Sequence, residues 1–147
     1  MKKTVFANWG SADQGKSSTV KEIAKLIIDN YPECLKDPDI INYEEDIKVV
    51  VTIGKIKIGL ESQGDPPGIR LIQSLKEFVK IKCDIIICAT RTSGKTVDAV
   101  NDLHYKNGYD NVWLTNYRSN EKNRDALNSI SANHIFELIQ QNIKGNI

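Results

Sequence analysis

The chain has 147 residues and a formal net charge of +1, with 40% hydrophobic and 27% charged residues. These values fit one globular domain and exclude a disordered chain. The longest apolar run, Ile85–Ala89, is too short to cross a bilayer, and the balanced charge does not indicate a general nucleic-acid surface. We therefore expect a single domain over residues 1–147, whose composition indicates neither a membrane nor a nucleic-acid partner.

The first predicted elements surround a glycine-containing loop. A short apolar strand at 4–7 precedes this loop, and an amphipathic helix follows it. The apolar face of that helix comprises Val20, Ile23, Ala24, Ile27, Ile28 and Tyr31. Beyond it, residues 32–39 predict a polar loop, residues 40–42 a short strand, and the acidic run 43–46 a solvated loop.

The second half of the chain continues the alternation of strands and helices. Two β-rich runs, 47–53 and 56–60, are separated by Gly54 and Lys55 and predict an antiparallel hairpin. The continuous apolar run at 84–89 predicts a strand buried on both faces, and residues 111–115 predict the last strand. The apolar stripes of the three later helices are Leu71, Ile72, Leu75, Phe78 and Val79; Val97, Val100 and Leu103; and Ile135, Leu138 and Ile139.

This alternation predicts an α/β fold with three layers, in which a doubly wound and mostly parallel sheet includes the hairpin. Ligands of such folds bind beyond the carboxyl ends of the strands. We expect four segments to converge there: the glycine loop, residues 61–65, residues 90–91, and residues 117–118.

Residues 10–17 read GSADQGKS and match the phosphate-binding pattern GxxxxGK[ST] between a strand and a helix. Backbone N–H groups of such a loop, together with the helix dipole, form a cradle for anions. Lys16 is expected to reach the β- and γ-phosphates, and the Ser17 hydroxyl to hold Mg²⁺. The nucleotide-binding residues predicted in this way are Gly10, Ser11, Ala12, Asp13, Gln14, Gly15, Lys16, Ser17 and Ser18.

Phosphoryl transfer also needs a carboxylate that orients the metal or the attacking group. Glu61 and Asp65 follow the second strand of the hairpin and are the predicted metal ligands besides Ser17, although Asp65 could instead cap the next helix. Arg91 follows the buried strand and could stabilise phosphoryl charge or form a structural ion pair. We predict that Lys16, Asp65 and Arg91 are the catalytic residues.

Several features admit more than one interpretation. Gly64 could sense the γ-phosphate through its N–H group, or it could be a turn glycine. Residues 89–96 resemble a second, relaxed phosphate loop. The simpler interpretation is an ordinary loop at the same rim of the sheet, that is, at the carboxyl ends of the parallel strands. Arg118 and Arg124 could form a lid or lie in a solvated loop. Three cysteines, Cys34, Cys83 and Cys88, lack metal-binding spacing, which favours a reducing, cytoplasmic location.

The loop and the strand–helix alternation resemble the P-loop NTPase superfamily and its Walker A motif. The run 61–64, ESQG, is similar to the DxxG element of small GTPases with Glu in place of Asp, whereas residues 89–92 do not match the guanine-reading NKxD motif. The run GKSST is also similar to some kinases and to partition-type ATPases, but the extra lysine of the partition-type loop is missing from residues 8–11. The resemblance therefore identifies the superfamily and no subfamily.

This resemblance implies a nucleoside triphosphate as ligand, ATP before GTP, together with Mg²⁺. One hypothesis is an enzyme that hydrolyses ATP, or a small kinase that transfers the γ-phosphate to a nucleotide or another small molecule. The other hypothesis is a nucleotide-controlled switch with slow hydrolysis that binds a protein partner or a second copy of itself. Transfer of phosphate to an acceptor discriminates between them.

Overall fold

The structure is a computed structural model that describes residues 1–11 and 14–147. The strands are β1 Thr4–Trp9, β2 Leu35–Asp37, β3 Lys48–Ile53, β4 Ile56–Glu61, β5 Ile85–Thr90 and β6 Asp110–Leu114. The helices are α1 Lys16–Asn30, α2 Ile69–Lys80, α3 Lys95–Asn107 and α4 Arg124–Ile143. These elements form an α/β fold.

The strands form one mixed sheet in the order β2-β3-β4-β5-β1-β6. The pairs β4–β5, β5–β1 and β1–β6 are parallel, whereas β2–β3 and β3–β4 are antiparallel. The predicted hairpin is confirmed, and Gly54 in its turn has a φ of 58°, a value that glycine adopts readily. Because β3 runs against β4, Lys48 at the beginning of β3 pairs with Glu61 at the end of β4.

The short strand was predicted at the wrong place. Residues 40–42 are not in a strand, and the three residues of β2 instead come from the predicted loop at 32–39. Among the strands of the described residues, β2 pairs with β3 alone, at the open edge of the sheet, and Leu35 within it is 72% exposed. This strand depends on a long-range pairing, which local hydrophobicity does not encode.

Helices cover both faces of the sheet, as the side-chain alternation of β1 requires. Phe6 faces a core that α1 and α4 cover, whereas Val5 and Ala7 face a core that α2 and α3 cover. All six residues of β5 are buried, which confirms the prediction of a strand enclosed on both faces. Within the described ranges, no helix is both long and apolar enough to cross a membrane.

Candidate functional site

The glycine loop joins β1 to α1 at the carboxyl end of the parallel strands. The Gly10 N–H donates to the Thr90 carbonyl at the end of β5, at 3.1 Å. Gly15 has a φ of 73° and directly precedes α1, and a Cβ at this position would overlap the Asn128 side chain of α4. The positive φ therefore favours glycine here, and a larger residue would also displace the Asn128 side chain. The predicted ligands Ala12 and Asp13 lie outside the described residues.

The Lys16 ammonium lies between the ends of two neighbouring strands. Its Nζ donates to the carbonyls of Gly10, at 2.7 Å, and Thr90, at 2.9 Å, and the residue is only 6% exposed. Burial lowers the pKa of Lys16, while the nearby Asp65 carboxylate raises it and the Arg91 guanidinium lowers it further. The ammonium is thus fixed beside the loop and lies within the electrostatic reach of Asp65 and Arg91.

The Ser17 hydroxyl contacts a carboxylate that was not among the predicted site residues. Ser17 Oγ donates to Asp46 Oδ1 at 2.7 Å, and Ser62 Oγ donates to the same oxygen at 2.7 Å. The second oxygen, Asp46 Oδ2, accepts from Gln63 Nε2 at 3.0 Å. One carboxylate therefore joins the start of α1, the segment before β3 and the segment after β4.

The environment of Asp46 stabilises its charged form. Burial raises the pKa of this carboxyl, but hydrogen bonds from Ser17 and Ser62, with the positive charges of Lys21 and Arg70, outweigh burial and leave the pKa below its usual range. The expectation that the run 43–46 is merely a solvated acidic loop is therefore wrong for Asp46.

Glu61, a predicted metal ligand, lies at the end of β4 with its side chain fully buried. Its Oε1 accepts from Arg70 Nε at 2.9 Å and from Ser74 Oγ at 2.7 Å, and its Oε2 accepts from the Gln63 N–H at 3.0 Å. Strand β5 separates β4 from β1. The metal role of Glu61 stays a prediction, and these contacts favour a structural role that anchors α2 to the sheet.

Asp65 and Arg91 form an ion pair at the exposed rim, with Arg91 Nε donating to Asp65 Oδ1 at 2.8 Å. The Arg91 N–H donates to Thr96 Oγ1 at 3.0 Å, which ties the loop after β5 to the start of α3. Asp65 does not cap α2, whose N-cap is Gly68. The structure thus brings two of the three predicted catalytic side chains together, and their charges both act on the third, Lys16.

Asn116, which follows β6, connects the glycine loop to the helix at the other end of the chain. Its Nδ2 lies 3.0 Å from the Gln14 carbonyl, 2.8 Å from Thr19 Oγ1 and 3.1 Å from Asn128 Oδ1, and its Oδ1 accepts from Asn8 Nδ2 at 2.9 Å. This buried amide was not predicted to have a role. It holds the backbone of the loop against the end of β6.

Contacts link three of the four segments expected at the rim, namely the glycine loop, residues 61–65 and residues 90–91. The fourth segment, residues 117–118, directly follows Asn116, and Ser11 and Ser18 lie exposed in and beside the loop. A signal for Asp46 was present in the sequence, because a predicted hairpin places the residue before its first strand at the end of its second strand. No comparable local signal exists for Asn116, whose partner Gln14 lies 102 residues away.

No protein-family model, curated protein or solved structure matches this chain.

Proposed function

We propose that the protein binds a nucleoside triphosphate with Mg²⁺ in the loop of residues 10–17, as a P-loop NTPase, and hydrolyses it or uses it as a switch. ATP is the first candidate and GTP the second. The observation that carries this proposal is the buried Lys16 ammonium beside a loop that begins at Gly10 and ends at Gly15 with a φ of 73°.

The loop region offers positive charge to an anion. A helix N-terminus carries about half a positive charge, and its first N–H groups have no partner within the helix. At the start of α1, Lys16 adds a full charge within the same region. Nζ donates to two backbone carbonyls, at 2.7 and 2.9 Å. Phosphate oxygens of a bound nucleotide would accept hydrogen bonds from Nζ in place of these carbonyls or in addition to them. An ion desolvated in this way is stabilised by an incoming anion.

The oxygen atoms near the loop suit Mg²⁺. Ser17 Oγ and the ionised Asp46 carboxylate are hard oxygen donors already in contact, at 2.7 Å, and Mg²⁺ is bound in proteins through one or two carboxylates and substrate phosphates. The ion would neutralise charge on the phosphates. Asp46, directly or through water, is therefore the carboxylate that we assign to the metal in place of Glu61.

Asp65 and Arg91 provide the groups for the chemistry of the γ-phosphate. A guanidinium can stabilise charge on a transferring phosphoryl group, and a carboxylate can orient an attacking water or hydroxyl. Their ion pair is partly exposed, with the Arg91 side chain 31% and the Asp65 side chain 56% accessible, so both groups can reach a ligand at the rim.

The proposal is tested by comparing nucleotide binding by the wild type and by the variant Lys16→Ala. Titration calorimetry with ATP and with GTP, each with Mg²⁺, is expected to show saturable binding to the wild type and its loss in the variant. Lys25→Ala, which removes an exposed lysine from the same helix, is the matched control and is expected to bind as the wild type does. Unchanged binding by a folded Lys16→Ala protein contradicts the proposal.

Hydrolysis and phosphoryl transfer are distinguished by the fate of the γ-phosphate. Release of inorganic phosphate from ATP alone supports an NTPase, and its loss in Arg91→Ala supports the role of that residue. A saturable acceptor among nucleosides, nucleotides and small metabolites would instead make the protein a kinase.

A further inference from the structure

A cavity of about 220 Å³ opens beside the glycine loop, between Gln14 and the beginning of α4. Its wall also includes Tyr117, Arg118, Arg124 and Asn128. Pockets that take whole drug-sized ligands have volumes of roughly 300–1,000 Å³. This cavity therefore has room for part of a nucleotide and not for a separate large cosubstrate.

The cavity and the loop share a wall that hydrogen bonds hold together. Asn128, in the cavity wall, accepts from Asn116 Nδ2 at 3.1 Å, and the same Nδ2 lies 3.0 Å from the carbonyl of Gln14. Asn128 also fills the space where a Cβ of Gly15 would lie. The cavity therefore lies directly beside the described part of the loop, so a ligand with its phosphates in the loop would have the cavity next to it.

The lining combines flat apolar surface with hydrogen-bond donors. Tyr117 is 50% exposed, and Leu127 adds aliphatic surface to the same wall. Arg118 and Arg124 supply guanidinium N–H groups to the same wall. A nucleobase has an aromatic face for stacking and acceptor atoms at its edge, and ribose hydroxyls also accept hydrogen bonds.

We propose that this cavity holds the base and ribose of the nucleotide whose phosphates occupy the loop, with Tyr117 against the base and the two arginines as donors to its edge or to the ribose. This assignment rests on the proposed function and deepens it. The protein then selects nucleotides over bare polyphosphate, and the segment 117–128 decides the selection.

The experiment compares ATP and GTP with inorganic tripolyphosphate, each with Mg²⁺, by titration calorimetry. We expect the wild type to bind at least one nucleotide about tenfold or more tightly than tripolyphosphate, since stacking of one base on an aromatic side chain can supply that ratio. Tyr117→Ala should lower the affinity for that nucleotide about tenfold and leave the affinity for tripolyphosphate unchanged. Arg124→Gln, at the exposed start of α4, is the second variant and should act in the same direction.

Tyr105→Ala is the matched control, because this tyrosine is 80% exposed on α3 and does not line the cavity. Equal wild-type affinity for nucleotides and tripolyphosphate overturns the assignment but leaves phosphate binding by the loop intact. The assignment is also overturned if Tyr117→Ala and Arg124→Gln each lose as much affinity for tripolyphosphate as for the nucleotide. If the wild type binds none of the three ligands, the proposed function itself fails, and this assignment fails with it.

Discussion

Replacing Asp46 with asparagine tests the carboxylate that joins three segments of the rim. Asparagine keeps one oxygen for Ser17 and Ser62, but its Nδ2 would face Gln63 Nε2, so two donors would meet where the wild type has a hydrogen bond of 3.0 Å. The variant loses that bond and the negative charge that strengthens the two bonds of 2.7 Å. Hydrogen bonds to charged groups are worth about 1.5–3 kcal/mol and neutral ones about 1 kcal/mol.

Because Asp46 is only half-buried, we discount these values and expect a loss of about 1–3 kcal/mol in the free energy of unfolding. With a urea m-value of about 2 kcal/mol/M, the unfolding midpoint should fall by roughly 0.5–1.5 M at pH 7. Fluorescence of the two tryptophans reports the transition. Glu45→Gln, an exposed neighbour in the same segment, is the control and should leave the midpoint within about 0.2 M.

The effect also has a predicted dependence on pH. The folded-state pKa of Asp46 lies below the usual value of 3.8, so the unfolded state binds the proton more readily and acid favours unfolding. The stabilisation by Asp46 is therefore fully present above pH 3.8 and is lost as the pH falls through the folded-state pKa. The difference between wild type and Asp46→Asn should be constant near neutrality and shrink towards pH 3. Equal midpoints at pH 7, or a difference that grows in acid, would refute this reasoning.

Two further predictions concern packing. A Cβ at Gly64 would overlap the backbone carbonyl of Ala89. We therefore expect Gly64→Ala to lower the free energy of unfolding by about 1–3 kcal/mol and Tm, measured by calorimetry, by roughly 3–10 °C. An unchanged Tm would contradict the close contact. Burial raises the pKa of the Cys83 and Cys88 thiols to about 12. At pH 8 we therefore expect a thiol reagent to modify only the partly exposed Cys34 in the native protein. After denaturation, all three thiols should react. Rapid reaction of two or three native thiols is the contrary result.

The elements that follow hydrophobic periodicity were predictable. The run 84–89 has no polar interruption after Asp84, and residues 85–89 lie in the fully buried strand β5. Gly54 and Lys55 form the turn of the predicted hairpin. The strand β2 was not predictable, because its residues pair only at an open edge where little apolar surface is buried. The φ of 73° at Gly15 was known only from the structure, although it is a conformation that glycine adopts readily.

By itself, the sequence determined the alternation of strands and helices and the position of the glycine loop between Trp9 and Lys16, because both depend on residues that are neighbours along the chain. The tertiary structure alone decided that Asp46 meets Ser17, 29 residues away, and that Asn116 holds Gln14, 102 residues away. The tertiary structure also decided that Glu61 accepts a hydrogen bond from Arg70. Strand order and direction select which distant polar groups meet, and the cost of burying them unpaired fixes those contacts once the sheet has formed.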